Sequence, residues 1–190
     1  EELPAVLTPE EALVDGAPLI HEGLDDYFKV FEANMGGNLL IEVRIEEGDV
    51  DAAWDTCDAI VEGEFETQAQ HHVYMEPCSA LAEVDAQGRV SLWSSNQSVF
   101  RVQANVAESL GLSMSRIRSI SPRVGGAFGG KMEATVQPIT VALALATGQP
   151  VKLTLSREED FETMRRRHPV KIRMKTGAAK DGTIVARDYQ

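Results

Sequence analysis

Long apolar runs, cysteines and, over half its length, positive charge are what this 190-residue sequence has least of. The longest apolar run, Val141–Ala146, falls far short of the ~18 residues a membrane-spanning helix needs, which argues against a helical membrane protein. Two cysteines, Cys57 and Cys78, make no disulfide framework, so a reducing cytoplasm is the expected setting. Residues 1–96 hold 3 Lys/Arg against 22 Asp/Glu, and residues 97–190 hold 15 against 8, giving net charges near −19 and +7. An acidic front half argues against nucleic acid; a basic back half suits an anion, or simply complements the front. The first residues lack an initiator Met and the basic-then-apolar pattern of a signal peptide, and the last residues stop in a strand-like run. Both ends read as cuts from something longer.

What is present is an apolar content of 43%, enough for the core of one domain or two small ones. Thr8-Pro9-Glu10-Glu11 starts one short helical turn, and residues 34–38 read as a turn. Leu39–Glu46 alternates like a half-buried strand, with Ile41, Val43 and Ile45 on one face. A short acidic-started helix is predicted at 49–54. A long strand follows at 59–69, with Val61, Gly63, Phe65 and Thr67 facing one way and Glu62, Glu64 and Glu66 the other. A hairpin about 86–88 and a helix from Ser98 to Gly111 come next. Arg116–Ser121 then alternates as a strand. Pro138 is tolerable only in a first turn, so the next helix starts near Val136 and stops at Gly148. Val151–Leu155 reads as a strand, Ser156-Arg157-Glu158-Glu159 as a capping box, and 170–178 with 183–189 as a hairpin about Lys180-Asp181-Gly182. The alternation is irregular, which predicts a mixed α/β or α+β domain.

The stretch Gly125-Gly126-Ala127-Phe128-Gly129-Gly130-Lys131 stands apart. Four glycines around one aromatic do not fill a core; they supply backbone that takes positive φ or that a bulky group approaches closely. Placed between a strand and a helix, the loop is expected to present N–H groups to an anion. It nearly matches a phosphate loop, but Met132 stands where the magnesium-binding hydroxyl belongs. A nucleotide hydrolase is therefore disfavoured. A non-catalytic module that binds a phosphorylated ligand through Gly125–Lys131 remains the alternative, as does a scaffold whose glycines only permit close packing. His71-His72 with Glu76 and Cys78 lacks metal-ligand spacing, and Cys78 shows no activating base. Arg165-Arg166-Arg167 suits either a phosphate clamp or a solvated helix end. Gln97 follows a predicted strand, where its amide serves as a ligand donor or a cap.

Taken in order, Gln70-His71-His72-Val73-Tyr74-Met75-Glu76-Pro77, Trp93-Ser94-Ser95-Asn96-Gln97, Gly125–Lys131, and Ser156-Arg157-Glu158-Glu159 with Arg167-His168-Pro169 resemble one family. They are similar to the molybdenum-cofactor-binding large subunit or domain of the xanthine dehydrogenase/aldehyde oxidase family. The likeness covers roughly residues 50–190, which makes 41–190 the first half of the cofactor-binding region and 1–40 a tail from a preceding hammerhead domain. The resemblance implies a molybdenum–pterin cofactor that hydroxylates an electron-poor carbon of a small-molecule substrate with oxygen from water. Electrons would leave to [2Fe–2S] and FAD centres on partner domains or subunits. Gln97 aligns with a glutamine that donates to an oxo ligand, and Gly126, Ala127, Phe128 and Gly129 with the loop against the cofactor. Met132 and Glu133 fall at the substrate pocket, where xanthine-oxidising members carry a glutamate directly after the lysine; Met132 there puts purine specificity in doubt. No catalytic residue is assigned in these 190 residues. The family's catalytic base is a glutamate farther along, and most contacts to the cofactor's tail come from a second cofactor domain, so this chain alone is expected to be inactive.

Overall fold

The computed structural model describes residues 4–23 and 36–190. The chain divides into two compact units, Glu1–Val61 with Lys175–Asp188, and Glu62–Met174 with Tyr189–Gln190. Among the described residues there are five α-helices and nine strands, a mixed α+β composition.

In the first unit, α1 (Pro9–Ala12) is one turn held by a capping box between Thr8 and Glu11. Helix α2 (Val50–Trp54) starts at Asp49, whose carboxylate accepts from the N–H of Ala52 at 3.0 Å. The predicted strand at Leu39–Glu46 does not form: these residues carry no strand pairing beyond the bridge between Gly36 and Leu39, and Ile45 is 88% exposed. Alternation supplies a face, but a strand also needs a hydrogen-bonded neighbour, and the described residues offer it none. The turn predicted at 34–38 lies partly outside the described residues.

Strands β1 (Ala59–Thr67), β8 (Val170–Ala178) and β9 (Ile184–Tyr189) form a sheet in the order β1-β8-β9. The apolar face predicted for β1 is not a core face, since Val61 and Phe65 are exposed. Strands β2 (Gln70–His71) and β7 (Arg166–Arg167) make a short antiparallel pair that sets His71 opposite Arg166.

The second unit holds the main core. Its sheet runs β5-β4-β3-β6, built from β3 (Ser79–Val84), β4 (Val90–Ser94), β5 (Ile117–Ile120) and β6 (Val151–Thr154). Ala80, Ala82, Val90, Leu92 and Ile117 point to one face at the two-residue period of a strand. Helices α3 (Val99–Leu110) and α4 (Val136–Thr147) cover that face with Val102, Val106, Val141 and Ala144, none of them exposed. Gly111 and Gly148 end the two helices in the left-handed conformation. Helix α5 (Arg157–Thr163) opens on the predicted Ser156–Glu159 capping box.

Strand order decides where the chemistry sits. β3 and β4 are antiparallel, with Ala82 opposite Leu92, whereas β4 and β5 are parallel, with Leu92 opposite Ser119. Helix α3 is the crossover between the parallel pair. The segments leaving the carboxyl ends of β4 and β5 therefore emerge side by side, the position where open α/β sheets gather their functional loops. Residues 95–97 leave β4, and residues 121–131 leave β5.

Candidate functional site: a glutamine clasped by a glycine loop

Ser121 joins the two segments first, its hydroxyl donating to the carbonyl of Asn96 at 2.9 Å. Farther along, the N–H groups of Gly129 and Lys131 both donate to Gln97 Oε1, at 3.0 and 3.3 Å. The Gln97 N–H returns a bond to the Lys131 carbonyl at 2.9 Å. Two donors on one carboxamide atom identify it as oxygen, so the side-chain NH₂ is turned away from the loop. Gln97 is exposed, and among the described residues that NH₂ has no acceptor. A loop that consumes the acceptor end of an amide leaves a fixed donor facing outward.

The glycines are explained by the chain itself. A Cβ on Gly125 would stand 2.7 Å from Glu76 Cβ, and one on Gly130 would stand 2.9 Å from both His72 Nδ1 and Tyr74 Cε1. Gly126 and Gly129 take φ of +95° and +97°, where an L side chain is strained. The loop thus packs on the 72–76 segment, with main chain laid against side chains. Phe128 is the opposite case: it adopts φ +51° and the residue is 76% exposed. A non-glycine residue held in that region at a surface is the kind of strain that marks binding and catalytic loops. Val73, at φ +51°, is a second instance beside the loop.

Lys131 does not behave as a phosphate-loop lysine. Its side chain is 1% exposed and its ammonium donates to the carbonyl of Glu76 at 2.8 Å and to Glu76 Oε2 at 3.0 Å, 4.4 Å above the Tyr74 ring. Four of the loop's seven N–H groups are also committed within the chain. Gly125 donates to Glu76 Oε2, Gly130 to the Ala127 carbonyl, and Gly129 and Lys131 to Gln97. Helix α4 begins only at Val136, five residues past Lys131 with Thr135 as its cap, so its amino terminus is not part of the loop. The buried lysine and these committed amides count against the alternative of a phosphorylated ligand held by Gly125–Lys131.

The remaining candidates separate. Met132 is 38% exposed next to the loop. Both carboxylate oxygens of Glu133 are engaged, one by Arg165 and one by Arg101 at 4.0 Å. Arg166 donates to the Phe161 carbonyl, so the arginine run is spread over separate contacts and forms no clamp. Cys78 lies in the core, where burial pushes its thiol up, away from a nucleophile's range.

Beneath the loop is a buried polar group that sequence reasoning missed. Asp160, fully buried, accepts from the Cys78 N–H at 2.8 Å through Oδ2, while Oδ1 lies 3.1 Å from His71 Nε2. His71 Nδ1 accepts from the Val73 N–H at 3.0 Å, which places the proton of the neutral ring on Nε2, facing Asp160. The 3.1 Å approach lacks the alignment of a full hydrogen bond. Burial lowers the His71 pKa and outweighs the attraction of Asp160, so the neutral ring is the form that fits. Nothing in the spacing of residues 71, 73 and 160 announces this contact; only folding brings them together.

The sequence profile of the family described as Molybdopterin cofactor-binding domain matches residues 31–190. The large molybdopterin subunit of nicotinate dehydrogenase from Eubacterium barkeri is 35% identical over 187 residues, covering 98% of this chain and 41% of that protein. The xanthine dehydrogenase/oxidase of Rattus norvegicus is 35% identical over 186 residues, covering 94% of this chain and 14% of its own length. Among solved structures, the aldehyde oxidoreductase of Desulfovibrio desulfuricans superposes with a TM-score of 0.85 at 25% identity, over 100% of this chain and 20% of that one. The reconstituted CO dehydrogenase of Oligotropha carboxidovorans gives 0.81 at 28% identity, over 100% of this chain and 24% of that one. The chain thus spans less than half the length of each of these relatives. With the family profile matching 31–190 and the fold shared along the whole chain, the protein belongs to the molybdopterin cofactor-binding domain family.

Proposed function

We propose that this chain forms part of the cofactor cradle of a molybdenum-dependent hydroxylase, with Gln97 as the donor to the cofactor's metal end. The observation that carries the reading is the Gln97 carboxamide, its oxygen bound by two loop amides and its NH₂ held outward without a partner among the described residues. That arrangement fits a group offering an oxygen acceptor, because the donor is oriented before the ligand arrives. Gly126, Ala127, Phe128 and Gly129 would line the cofactor on the same side, with the exposed Phe128 ring supplying a face to rest on. When bound, the molybdenum–pterin group supplies the two-electron oxidation of an electron-poor carbon, with water as the oxygen source.

The chain's own share is binding and orientation. A carboxamide prevented from rotating loses little entropy on meeting its acceptor, and it donates without carrying charge. Met132, exposed beside the loop, is the pocket residue nearest to hand; Glu133 is tied to Arg165 and Arg101 and serves the pocket's wall. Residues 1–40 are then the junction from a preceding domain and 41–190 the first half of the cofactor-binding region. The base and the remaining cofactor contacts come from the rest of the large subunit. The [2Fe–2S] and FAD centres sit on partner domains or subunits, in the cytoplasm, and the substrate is an aldehyde, an N-heterocycle or a similar small molecule. Among the described residues no helix is long and apolar enough to cross a membrane.

The test is Gln97→Ala in the whole protein, assayed anaerobically for reduction of the molybdenum by substrate. Loss of one such preorganised donor is expected to slow this step by roughly 10²–10³-fold. Reduction at the wild-type rate would remove Gln97 from the site.

A further inference from the structure

We propose that Lys131 is the positioning residue for the Gln97 carboxamide, its main chain clasping Gln97 while its buried ammonium fixes that clasp to the 74–76 segment. The inference rests on Gln97 being the donor, and it concerns how that donor is held. Between 125 and 131 the loop has three side chains beyond glycine. Ala127 offers a methyl group, Phe128 is exposed, and Lys131 alone reaches into the body of the unit. A run this rich in glycine has more backbone freedom to lose than any other composition, so its order must come from anchors. Besides the bonds to Gln97, two side-chain anchors meet on Glu76: its Oε2 accepts from the Gly125 N–H at 2.8 Å and from Lys131 Nζ at 3.0 Å. One carboxylate oxygen thereby ties the first and last residues of the loop together.

The Lys131 end is the one that touches Gln97. Its N–H and its carbonyl bond the side chain and the main chain of the same glutamine. Any slide of Lys131 along its axis therefore moves the carboxamide oxygen's partner directly. The chemistry of the anchor also speaks for position over stability. A buried ion pair is often no more stabilising than apolar residues of the same volume, and its best-attested use is to select one register. An apolar side chain at 131 would fill the space over Tyr74 at many depths; an ammonium with two oxygens at 2.8 and 3.0 Å fits at one.

The experiment uses the whole protein with Lys131→Met, which keeps the stem and removes the donors, alongside Gln97→Ala and the double variant. Amide exchange of the 125–131 peptide is measured on the cofactor-free protein, and kcat per bound molybdenum on the loaded one. Exchange at Gly129 and Lys131 is expected to quicken at least tenfold in Lys131→Met. Its kcat is expected to fall toward that of Gln97→Ala, with the double variant no slower than Gln97→Ala alone, because a residue acting through Gln97 has nothing left to position. Unchanged exchange, or a double variant slower by the product of the two single effects, overturns the proposal. If Lys131→Met does not fold, Glu76→Gln substitutes for it, keeping the shape and an acceptor; the same non-additivity with Gln97→Ala is expected and its absence is equally decisive. Should Gln97→Ala itself turn over normally, the donor reading fails, and the exchange measurement still decides whether Lys131 holds the loop.

Discussion

Gly130→Ala tests why the loop is bare. The added Cβ would lie 2.9 Å from Tyr74 Cε1, 2.9 Å from His72 Nδ1 and 3.0 Å from His72 Cγ, so its neighbours must open by about 0.5 Å to reach ordinary contact. His72 is half-buried with its Nδ1 shielded from solvent, and Tyr74 is 1% exposed, with its hydroxyl against Cys78 Sγ and its face under Lys131. Overpacking against a fixed ring costs ~1–3 kcal/mol, and Gly→Ala returns ~0.4–1 kcal/mol by restricting the unfolded chain. The net expectation is a loss of ~1–2 kcal/mol. At Gly129 the nearest atom to an added Cβ is 3.7 Å away, so Gly129→Ala pays only for φ +97°, ~1–2 kcal/mol. The two sites then diverge on enlarging the residue. Asn tolerates positive φ and should recover part of the loss at 129, whereas at 130 it should be worse than Ala. Urea unfolding of the cofactor-free protein measures all four variants. The reasoning fails if Gly130→Ala is as stable as wild type without cofactor and weakens only the loaded protein, since the space at 130 would then be reserved for the ligand and not filled by Tyr74.

Two further outcomes follow from the same contacts. Because burial lowers the His71 pKa in the fold, the unfolded chain binds that proton more readily. Its contribution is complete above the ordinary histidine value of ~6.5 and is lost as pH falls below it. Compared with His71→Asn, which keeps an acceptor for the Val73 N–H, wild type should lose stability between pH 6.5 and 5 by up to ~1.4 kcal/mol per pH unit. Urea midpoints across that range check it, and parallel pH profiles would refute it. Phe128→Gly should leave stability within about 1 kcal/mol of wild type, relief of φ +51° offsetting the glycine's entropy, because the exposed ring packs on little. Molybdenum content per purified protein should nonetheless fall, and full retention would show that the ring is not a cofactor contact.

Local chemistry made much of the fold legible in the sequence. Ser156 and Glu159 announce the start of α5 because a capping box closes within four residues, and both halves of it form. Pro138 places the start of α4 because a proline ring is accommodated only in the first turn, and the helix begins at Val136. Gly111 and Gly148 stop their helices for the reason given by their φ of 62° and 63°. Leu39–Glu46 shows the limit of the same method: its period is right, and no partner strand is supplied among the described residues.

The site was legible in its parts and not in its assembly. Gln97 and the glycine loop stand out as separate anomalies, but the bond between Gln97 and Gly129 spans 32 residues and that between Lys131 and Glu76 spans 55. Hydrophobic alternation in β4 and β5 predicts two strands without saying whether they run parallel, and only the parallel pairing sets residue 97 beside residues 125–131. Glycine composition is ambiguous in a similar way. It says that a side chain is missing, not whether the reason is a dihedral, as at 126 and 129, or a neighbour, as at 125 and 130. Lysine is misread in the opposite direction, since hydropathy assigns it to water, and Lys131 is buried by a carboxylate and a tyrosine that composition cannot place. The apparent phosphate loop dissolves on that one contact. A lysine spent on Glu76 leaves the loop's business to its main-chain amides, and two of those hold Gln97, whose free end is a neutral donor.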